Sequence, residues 1–238
     1  MKGIVMTKEH LILLPGTLCS ERLWRDQIDH LSDIAEIQVG DLTKNDSIQG
    51  MAESILNEAP EEFSLAGLSM GGIVAMELIH QAPERVKKLA LLDTNPNPPK
   101  PEQIAGWNQF IQMAKDGKFM DVTNQYLLPG LIHPERQGDL DLIHTIRKMA
   151  EEIGPDAMIR QMKALMTRPD ARESLHLIGC PTLVLLGRQD ALCSLEMHEY
   201  LISIIPNAIL SIIENCGHLS TLEKPVETTS ALRNWLLC

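Results

Sequence analysis

Ser69 stands at the centre of the pentapeptide Gly67-Leu68-Ser69-Met70-Gly71. An apolar run at residues 63–66 precedes the pentapeptide and favours a strand, and the run at 72–79 favours a helix. A serine hydroxyl becomes a good nucleophile only when a base removes its proton, so it must stand clear of the backbone. A tight strand-to-helix turn with flanking glycines provides that exposure. The pentapeptide therefore predicts a nucleophile elbow with Ser69 as the nucleophile.

A serine of this kind needs a carboxylate and a histidine, which follow the serine in that order along the chain. Asp190 comes shortly after the short apolar run 182–187, which is typical of a buried strand. His218 comes after a second strand-like run at 208–213 and a short loop. Parallel strands place their carboxyl ends on one edge of the sheet, so we expect Ser69, Asp190 and His218 to meet there.

A second carboxylate competes with Asp190 for the role of the acid. Asp93 directly follows another strand-like run at 86–92, so it leaves the sheet in the same way. An aspartate at this place also commonly bonds nearby backbone N–H groups and braces the segment that follows. We rank Asp93 second and keep Asp190 as the predicted acid.

Strand-like and helix-like segments alternate along most of the chain, which predicts an α/β fold with a mostly parallel central sheet and helices on both faces. The predicted strands cover residues 4–7, 11–14, 35–39, 63–66, 86–92, 182–187 and 208–213. The alternation stops between Asn95 and about Cys180, where helix-like stretches follow the proline-rich run 95–101. No internal repeat or low-complexity tract is present.

The chain resembles the α/β-hydrolase superfamily, in the branch of small bacterial esterases, haloperoxidase-like enzymes and hydrolases of biotin and menaquinone synthesis. The resemblance covers nearly the whole sequence. It depends on the segments 11–17, 67–72, 83–86, 91–93 and 181–184, on Asp190, and on Gly217-His218 followed by Glu223-Lys224-Pro225. It implies the α/β-hydrolase fold and the catalytic residues Ser69, Asp190 and His218, but it does not specify the substrate.

The resemblance also implies an oxyanion hole made of the backbone N–H groups of Thr17 and Met70. Relatives usually have His-Gly after the strand that builds this hole, and here Pro15 replaces the histidine while Gly16 is retained. Proline lacks an N–H, but Pro15 is not one of the two expected donors. We therefore expect the hole to be intact.

The resemblance further implies a helical cap at residues 96–179, inserted into a core formed by residues 1–95 and 180–238. Such a lid excludes water and shapes the substrate pocket. We expect Leu18, Trp107 and Met162 to contact the substrate. Met158, Met162 and Met166 form an apolar helical stripe, which fits either an acyl pocket or packing against neighbouring helices.

Composition limits the partners of this chain. Of 238 residues, 21 are basic and 32 acidic, and the resulting net charge of −11 disfavours binding to nucleic acid and to anionic membrane surfaces.

The cysteines and histidines indicate the compartment and the absence of a metal site. The five cysteines have no paired spacing, so we predict reduced thiols. The N-terminal residues lack a signal-peptide pattern, and we predict a cytoplasmic protein. The histidines show no zinc-ligand spacing, and we expect neither a metal nor another cofactor. The oligomeric state stays open.

The reaction predicted from these residues is hydrolysis of a small carboxylic ester or thioester with an apolar acyl part, through an acyl-serine. The same triad in relatives also serves C–C bond hydrolysis, lyase chemistry or cofactor-free perhydrolysis, and sequence alone discriminates little among these. A ligand-binding, receptor-like protein with little turnover is a further alternative. Aspartate at the elbow, as in related dehalogenases and epoxide hydrolases, is absent because this chain has Ser69.

Overall fold

A computed structural model describes residues 8–238. Its centre is a six-stranded sheet in the order β2-β1-β3-β4-β5-β6, and every neighbouring pair is parallel. The strands are β1 (Glu9–Leu14), β2 (Ala35–Val39), β3 (Phe63–Leu68), β4 (Val86–Leu92), β5 (Thr182–Gly187) and β6 (Ala208–Ile213). The predicted strand at 4–7 lies outside the described residues. The other six predicted strands are present, and the predicted α/β fold class with a parallel sheet is confirmed.

Helices connect these strands. They are α1 (Arg25–Leu31), α2 (Ile48–Glu58), α3 (Met70–Gln81), α4 (Pro101–Lys115), α5 (Phe119–Asp121), α6 (Leu128–Leu131), α7 (Leu140–Met166), α8 (Leu195–Ile204), α9 (Ser220–Glu223) and α10 (Pro225–Leu237). A π-helical stretch at Val122–Leu127 joins α5 to α6. Within the described residues, no helix is both long and apolar enough to span a bilayer.

Side-chain alternation along the strands produces two apolar layers. In β1, Ile12 and Leu14 belong to one buried cluster while Leu11 and Leu13 belong to another. Successive side chains of a strand point to opposite faces, so a strand that is apolar at every position must be covered on both. β3 is buried along its whole length, whereas the edge strand β6 is partly exposed. The sheet is therefore covered by helices on both faces around β3.

The segment between β4 and β5 contains α4 to α7 and no strand. Its longest helix, α7, is interrupted at Gly154, which has φ of 78° and precedes Pro155. Proline disfavours the helical conformation in the residue before it, so the helix breaks there into two parts. Residues of α4 and α7 pack together in a third apolar cluster that includes Leu18. This helical segment thus contacts the loop that follows β1.

Candidate active site

Ser69 occupies a strained turn between β3 and α3. Its φ is 56° and its ψ is −116°, a conformation that is uncommon for a residue with a side chain. A Cβ at Gly67 would lie 2.2 Å from the carbonyl oxygen of Gly71, and one at Gly71 would lie 2.1 Å from the carbonyl oxygen of Leu14. Both positions therefore require glycine, and the turn holds the Ser69 hydroxyl above the end of the sheet.

The structure brings the three residues of the predicted triad together. The Oγ atom of Ser69 lies 2.8 Å from Nε2 of His218, and Nδ1 of His218 lies 2.8 Å from Oδ2 of Asp190. His218 and Asp190 are buried, while Ser69 is half-buried. In the neutral tautomer that this chain of bonds favours, the hydroxyl donates to Nε2 and the Nδ1–H donates to the carboxylate.

The environment stabilises a charged imidazole next to a charged carboxylate. Burial alone would lower the pKa of His218, but the charge of Asp190 and its hydrogen bond raise that pKa above its ordinary value. Burial opposes ionisation of Asp190, but the neighbouring imidazole outweighs it and lowers the pKa of this carboxyl. The backbone N–H groups of Leu192 and Cys193 also donate to Oδ1 of Asp190, at 2.8 and 2.9 Å. Asp190 is thus fixed and ionised beside the ring.

Asp93, the alternative acid, has different partners. Its Oδ1 accepts from the backbone N–H of Gly187 at 2.8 Å, and its Oδ2 accepts from the hydroxyl of Ser220 at 2.5 Å. The side chain is completely buried, and burial with repulsion from Asp190 raises its pKa to about 8. Asp93 therefore joins the ends of β4 and β5 to the start of α9, and Asp190 is the carboxylate hydrogen-bonded to His218.

Two backbone N–H groups beside Ser69 form no hydrogen bond within the described protein. In the part of the chain that the structure describes, those of Thr17 and Met70 have no hydrogen-bond acceptor. Leu18 follows with φ of 57°, and its own N–H donates to Oε1 of Gln161 at 3.0 Å. Free N–H groups next to a nucleophile are what an oxyanion hole needs.

Gln161 is a buried residue of α7 whose contact with this loop was not predicted from the sequence. Its Nε2 donates to the carbonyl oxygen of Leu42 at 3.3 Å, so its two ends hold two different loops of the core. A glutamine within an apolar helical stripe is a weak signal for such a contact. The contact spans 143 positions of sequence, which local patterns do not encode.

A cavity of about 340 Å³ opens beside the Ser69 hydroxyl. Ser69, His218, Thr17 and Met70 all line it. The three residues predicted to contact the substrate, Leu18, Trp107 and Met162, line it as well. Met158 does not reach the cavity and packs in the apolar cluster between α4 and α7. Within the methionine stripe, Met162 therefore lines the pocket, and Met158 packs against neighbouring helices.

Glu223 braces the loop that carries His218. Its Oε1 accepts from the N–H of Gly217 at 2.9 Å, and its Oε2 accepts from the N–H of His133 at 2.7 Å. The carboxyl is buried, and burial raises its pKa above the ordinary value. Sequence reasoning assigned Glu223 no role, although an acidic residue five positions after a candidate base was an available signal.

Asp190, Cys193 and His218 place three potential metal-ligand atoms within 4.8 Å of one another. Metal binding at this point would break the direct bond between Asp190 and His218. Burial and the charge of Asp190 raise the pKa of the Cys193 thiol far above its ordinary range. The donor set fits a hydrogen-bonded triad better than a metal site.

The sequence is similar to that of known proteins. The model of the alpha/beta hydrolase family matches residues 11–232. A relative from Nitrosomonas europaea, a pimeloyl-acyl-carrier-protein methyl ester esterase, is 26% identical over 238 aligned residues and 92% of each chain is covered.

Two solved structures have closely similar backbones. A thermophilic esterase from Thermogutta terrifontis, in a malate-bound form, has a TM-score of 0.87 and 26% identity, covering 97% of this chain and 90% of its own. The enol-lactonase of Burkholderia xenovorans has a TM-score of 0.88 at 18% identity, covering 98% and 92%. The second likeness concerns the fold alone.

Proposed function

This chain belongs to the alpha/beta hydrolase family, and we propose that it is a serine hydrolase that cleaves a small carboxylic ester or thioester through an acyl-enzyme. The observation that carries the proposal is the pair of 2.8 Å contacts that join Ser69 to His218 and His218 to Asp190. The esterase activity named for the Nitrosomonas europaea relative supports the same class of reaction.

In the proposed mechanism, the Ser69 hydroxyl attacks the ester carbonyl while Nε2 of His218 takes its proton. The C–O bond of the ester then breaks, and the imidazolium returns the proton to the departing alcohol. Asp190 holds the ring and stabilises its positive charge. Water activated by His218 attacks the acyl-serine, releases the acid and regenerates the hydroxyl.

The N–H groups of Thr17 and Met70 hold the negative oxygen of each tetrahedral intermediate. Loss of one such donor typically costs about 2.7–4 kcal/mol of transition-state stabilisation. Met70 is the first residue of α3, so the positive end of the helix dipole reinforces this site. Strain at Ser69 is consistent with a position shaped for catalysis.

We further propose that residues 96–179 act as the cap over the core formed by residues 1–95 and 180–238. Trp107 and Met162, which line the cavity, come from this segment. The substrate is a small molecule with an apolar acyl part, which fits the largely apolar lining of the cavity.

Residence in the cytoplasm remains a prediction. All five cysteines are free thiols, which supports it.

The experiment is hydrolysis of a series of methyl esters, from acetate to octanoate, followed by titration of the released acid. The wild-type protein is expected to hydrolyse at least one ester, and Ser69→Ala is expected to lose that activity. Ser203→Ala, which removes an exposed hydroxyl on α8, is the matched control and should keep it. Equal activity in wild type and Ser69→Ala would refute the serine mechanism.

A further inference from the structure

A buried guanidinium lines the same cavity as Ser69. Arg168 follows the end of α7, and only 6% of its surface is exposed. Among the described residues that line the cavity, Arg168 is the only one with a permanent charge. Charged side chains are rarely buried to this degree without a partner of opposite charge.

The hydrogen-bond partners of Arg168 are all neutral. Its Nε donates to the carbonyl oxygen of Asn97 at 2.9 Å. Longer contacts of 3.4 Å join Nη1 to the carbonyl oxygen of Leu165 and Nη2 to Oε1 of Gln103. Nowhere in residues 8–238 does a carboxylate oxygen lie within 4.0 Å of this guanidinium.

The guanidinium also lies over the ring of Trp107, with 5.3 Å from Cζ to the ring centroid. This contact orients the planar group at the cavity wall. Five N–H groups are available on an arginine, and the three contacts with neutral acceptors leave two without a partner. Burial lowers the pKa of Arg168 from its ordinary value, yet arginine stays charged at neutral pH. The cavity therefore contains a positive charge that an anion would neutralise.

We propose that Arg168 binds a carboxylate of the substrate, so that the preferred substrate is a monoester or thioester of a small dicarboxylic acid. This inference rests on the serine hydrolase function proposed above, because it concerns the same cavity. A planar guanidinium with two free N–H groups matches the two oxygens of a carboxylate. A phosphate would call for more cationic donors than this lining supplies.

The size of the cavity fits such a molecule. A volume of about 340 Å³ lies at the lower end of the range for small-molecule sites, which suits a short chain better than a long lipid. The nucleophile and Arg168 line the same cavity, and the proposal requires one substrate to contact both. The apolar side chains Leu18 and Met162 would then surround the methylene groups between the ester and the carboxylate.

A purely structural role would predict a different result. Arg168 connects the end of α7, through Leu165, with the segment after β4, through Asn97. If Arg168 only stabilised this contact between segments, replacing it would lower the melting temperature and reduce the activity on all esters in equal proportion. Binding of a carboxylate instead predicts a change in the ratio of activities between charged and neutral esters.

The test compares esters that differ only in a terminal methyl or carboxylate group: methyl pentanoate with monomethyl glutarate, and methyl hexanoate with monomethyl adipate. The wild type is expected to have a higher kcat/KM for the charged member of a pair. In Arg168→Gln, the ratio of charged to neutral kcat/KM should fall by about 10- to 100-fold. Arg172→Gln, which removes an exposed arginine paired with Asp170, should leave the ratio unchanged.

An equal ratio in wild type and Arg168→Gln, or no preference for the charged ester at either length, would overturn the carboxylate site while leaving the serine mechanism intact. If Arg168→Gln does not fold, inhibition of the wild type decides. Glutarate and adipate should then inhibit methyl pentanoate hydrolysis at least tenfold more strongly than pentanoate and hexanoate, and equal inhibition would overturn the proposal.

Failure of the proposed function would look different, because wild type would then cleave neither member of any pair. Calorimetric titration of the wild-type protein with adipate and with hexanoate decides the matter in that case. Tighter binding of adipate that Arg168→Gln abolishes supports the site, and indistinguishable binding of the two acids overturns it.

Discussion

The floor and the wall of the cavity are built in different ways. At the floor, Ser69 lies in a turn where a side chain at Gly67 or Gly71 would clash with backbone atoms, and hydrogen bonds of 2.8 Å connect the triad. The wall formed by residues 96–179 contains flexible methionines and a guanidinium whose partners are all neutral. Under the proposed function, we expect the rigid floor to determine the reaction and the wall to determine the substrate.

The largest expected effect is on the acid of the triad. Asp190→Asn removes the charge that holds and stabilises the His218 ring, and kcat should fall about 10⁴-fold. Asp93→Asn is the matched control, since Asp93 bonds Gly187 and Ser220 and not the ring. Steady-state ester hydrolysis should show a much smaller loss for Asp93→Asn. A larger loss there than for Asp190→Asn would reverse the assignment of the acid.

Two glycine substitutions compare the rigidity of floor and wall directly. Gly71→Ala would place Cβ 2.1 Å from a carbonyl oxygen and should reduce the free energy of unfolding by at least about 4 kcal/mol. Gly106→Ala in α4 meets no atom within 4 Å, and should increase that free energy by about 0.5–1 kcal/mol. Urea denaturation measures both. Similar stability of the two variants would contradict the tight packing of the elbow.

Met162→Ala enlarges the cavity on the side of the wall and leaves the residues of the triad unchanged. The side chain is 1% exposed, so its loss should cost about 2–5 kcal/mol of unfolding free energy. The added space should raise kcat/KM for methyl octanoate relative to methyl butyrate by about tenfold. Lys163→Ala, the exposed neighbour on α7, is the control and should change neither quantity appreciably. An unchanged chain-length preference in Met162→Ala would show that Met162 does not contact the acyl chain of the substrate.

The smallest effect concerns pH. The base must be neutral to accept the serine proton, so kcat/KM is expected to rise with pH through the pKa of His218 and to be lost below it. Because Asp190 raises that pKa, the midpoint of the acid limb should lie above the ordinary histidine value of about 6.5. In Asp190→Asn the residual activity should show a lower midpoint. A wild-type midpoint well below 6.5 would contradict the electrostatic account.

Sequence reasoning is most successful where local pattern decides structure. Four of the predicted strands, 35–39, 86–92, 182–187 and 208–213, have the bounds seen in the structure. Continuous apolar runs between turn residues leave few alternatives for a parallel sheet buried on both faces. The turn at Ser69 is equally local, because its glycines adjoin it in the sequence.

The choice between the two aspartates was less well determined by sequence. Asp93 and Asp190 both follow strands at the same edge of the sheet, and only their side-chain partners distinguish them. Those partners, Ser220 for Asp93 and His218 for Asp190, depend on how the loops after β4, β5 and β6 pack. The secondary-structure propensities of short segments do not determine which of these contacts each aspartate makes.

The wall residues were the hardest to assign. Gln161 contacts Leu18 across 143 positions of sequence, and Arg168 contacts Asn97 across 71. Arg168 follows the end of α7, and its sequence neighbours do not distinguish it from an exposed arginine. Such contacts arise from the docking of the helical segment on the core, which the pattern of apolar residues does not fix.

The central claim is that Ser69 is an activated nucleophile, and covalent labelling tests it most directly. Wild-type protein is treated with a fluorophosphonate, and the modified peptide is identified by mass spectrometry. The account predicts one rapidly formed adduct on Ser69 that is strongly slowed in His218→Ala. No adduct on Ser69, or labelling at an equal rate in His218→Ala, would contradict it.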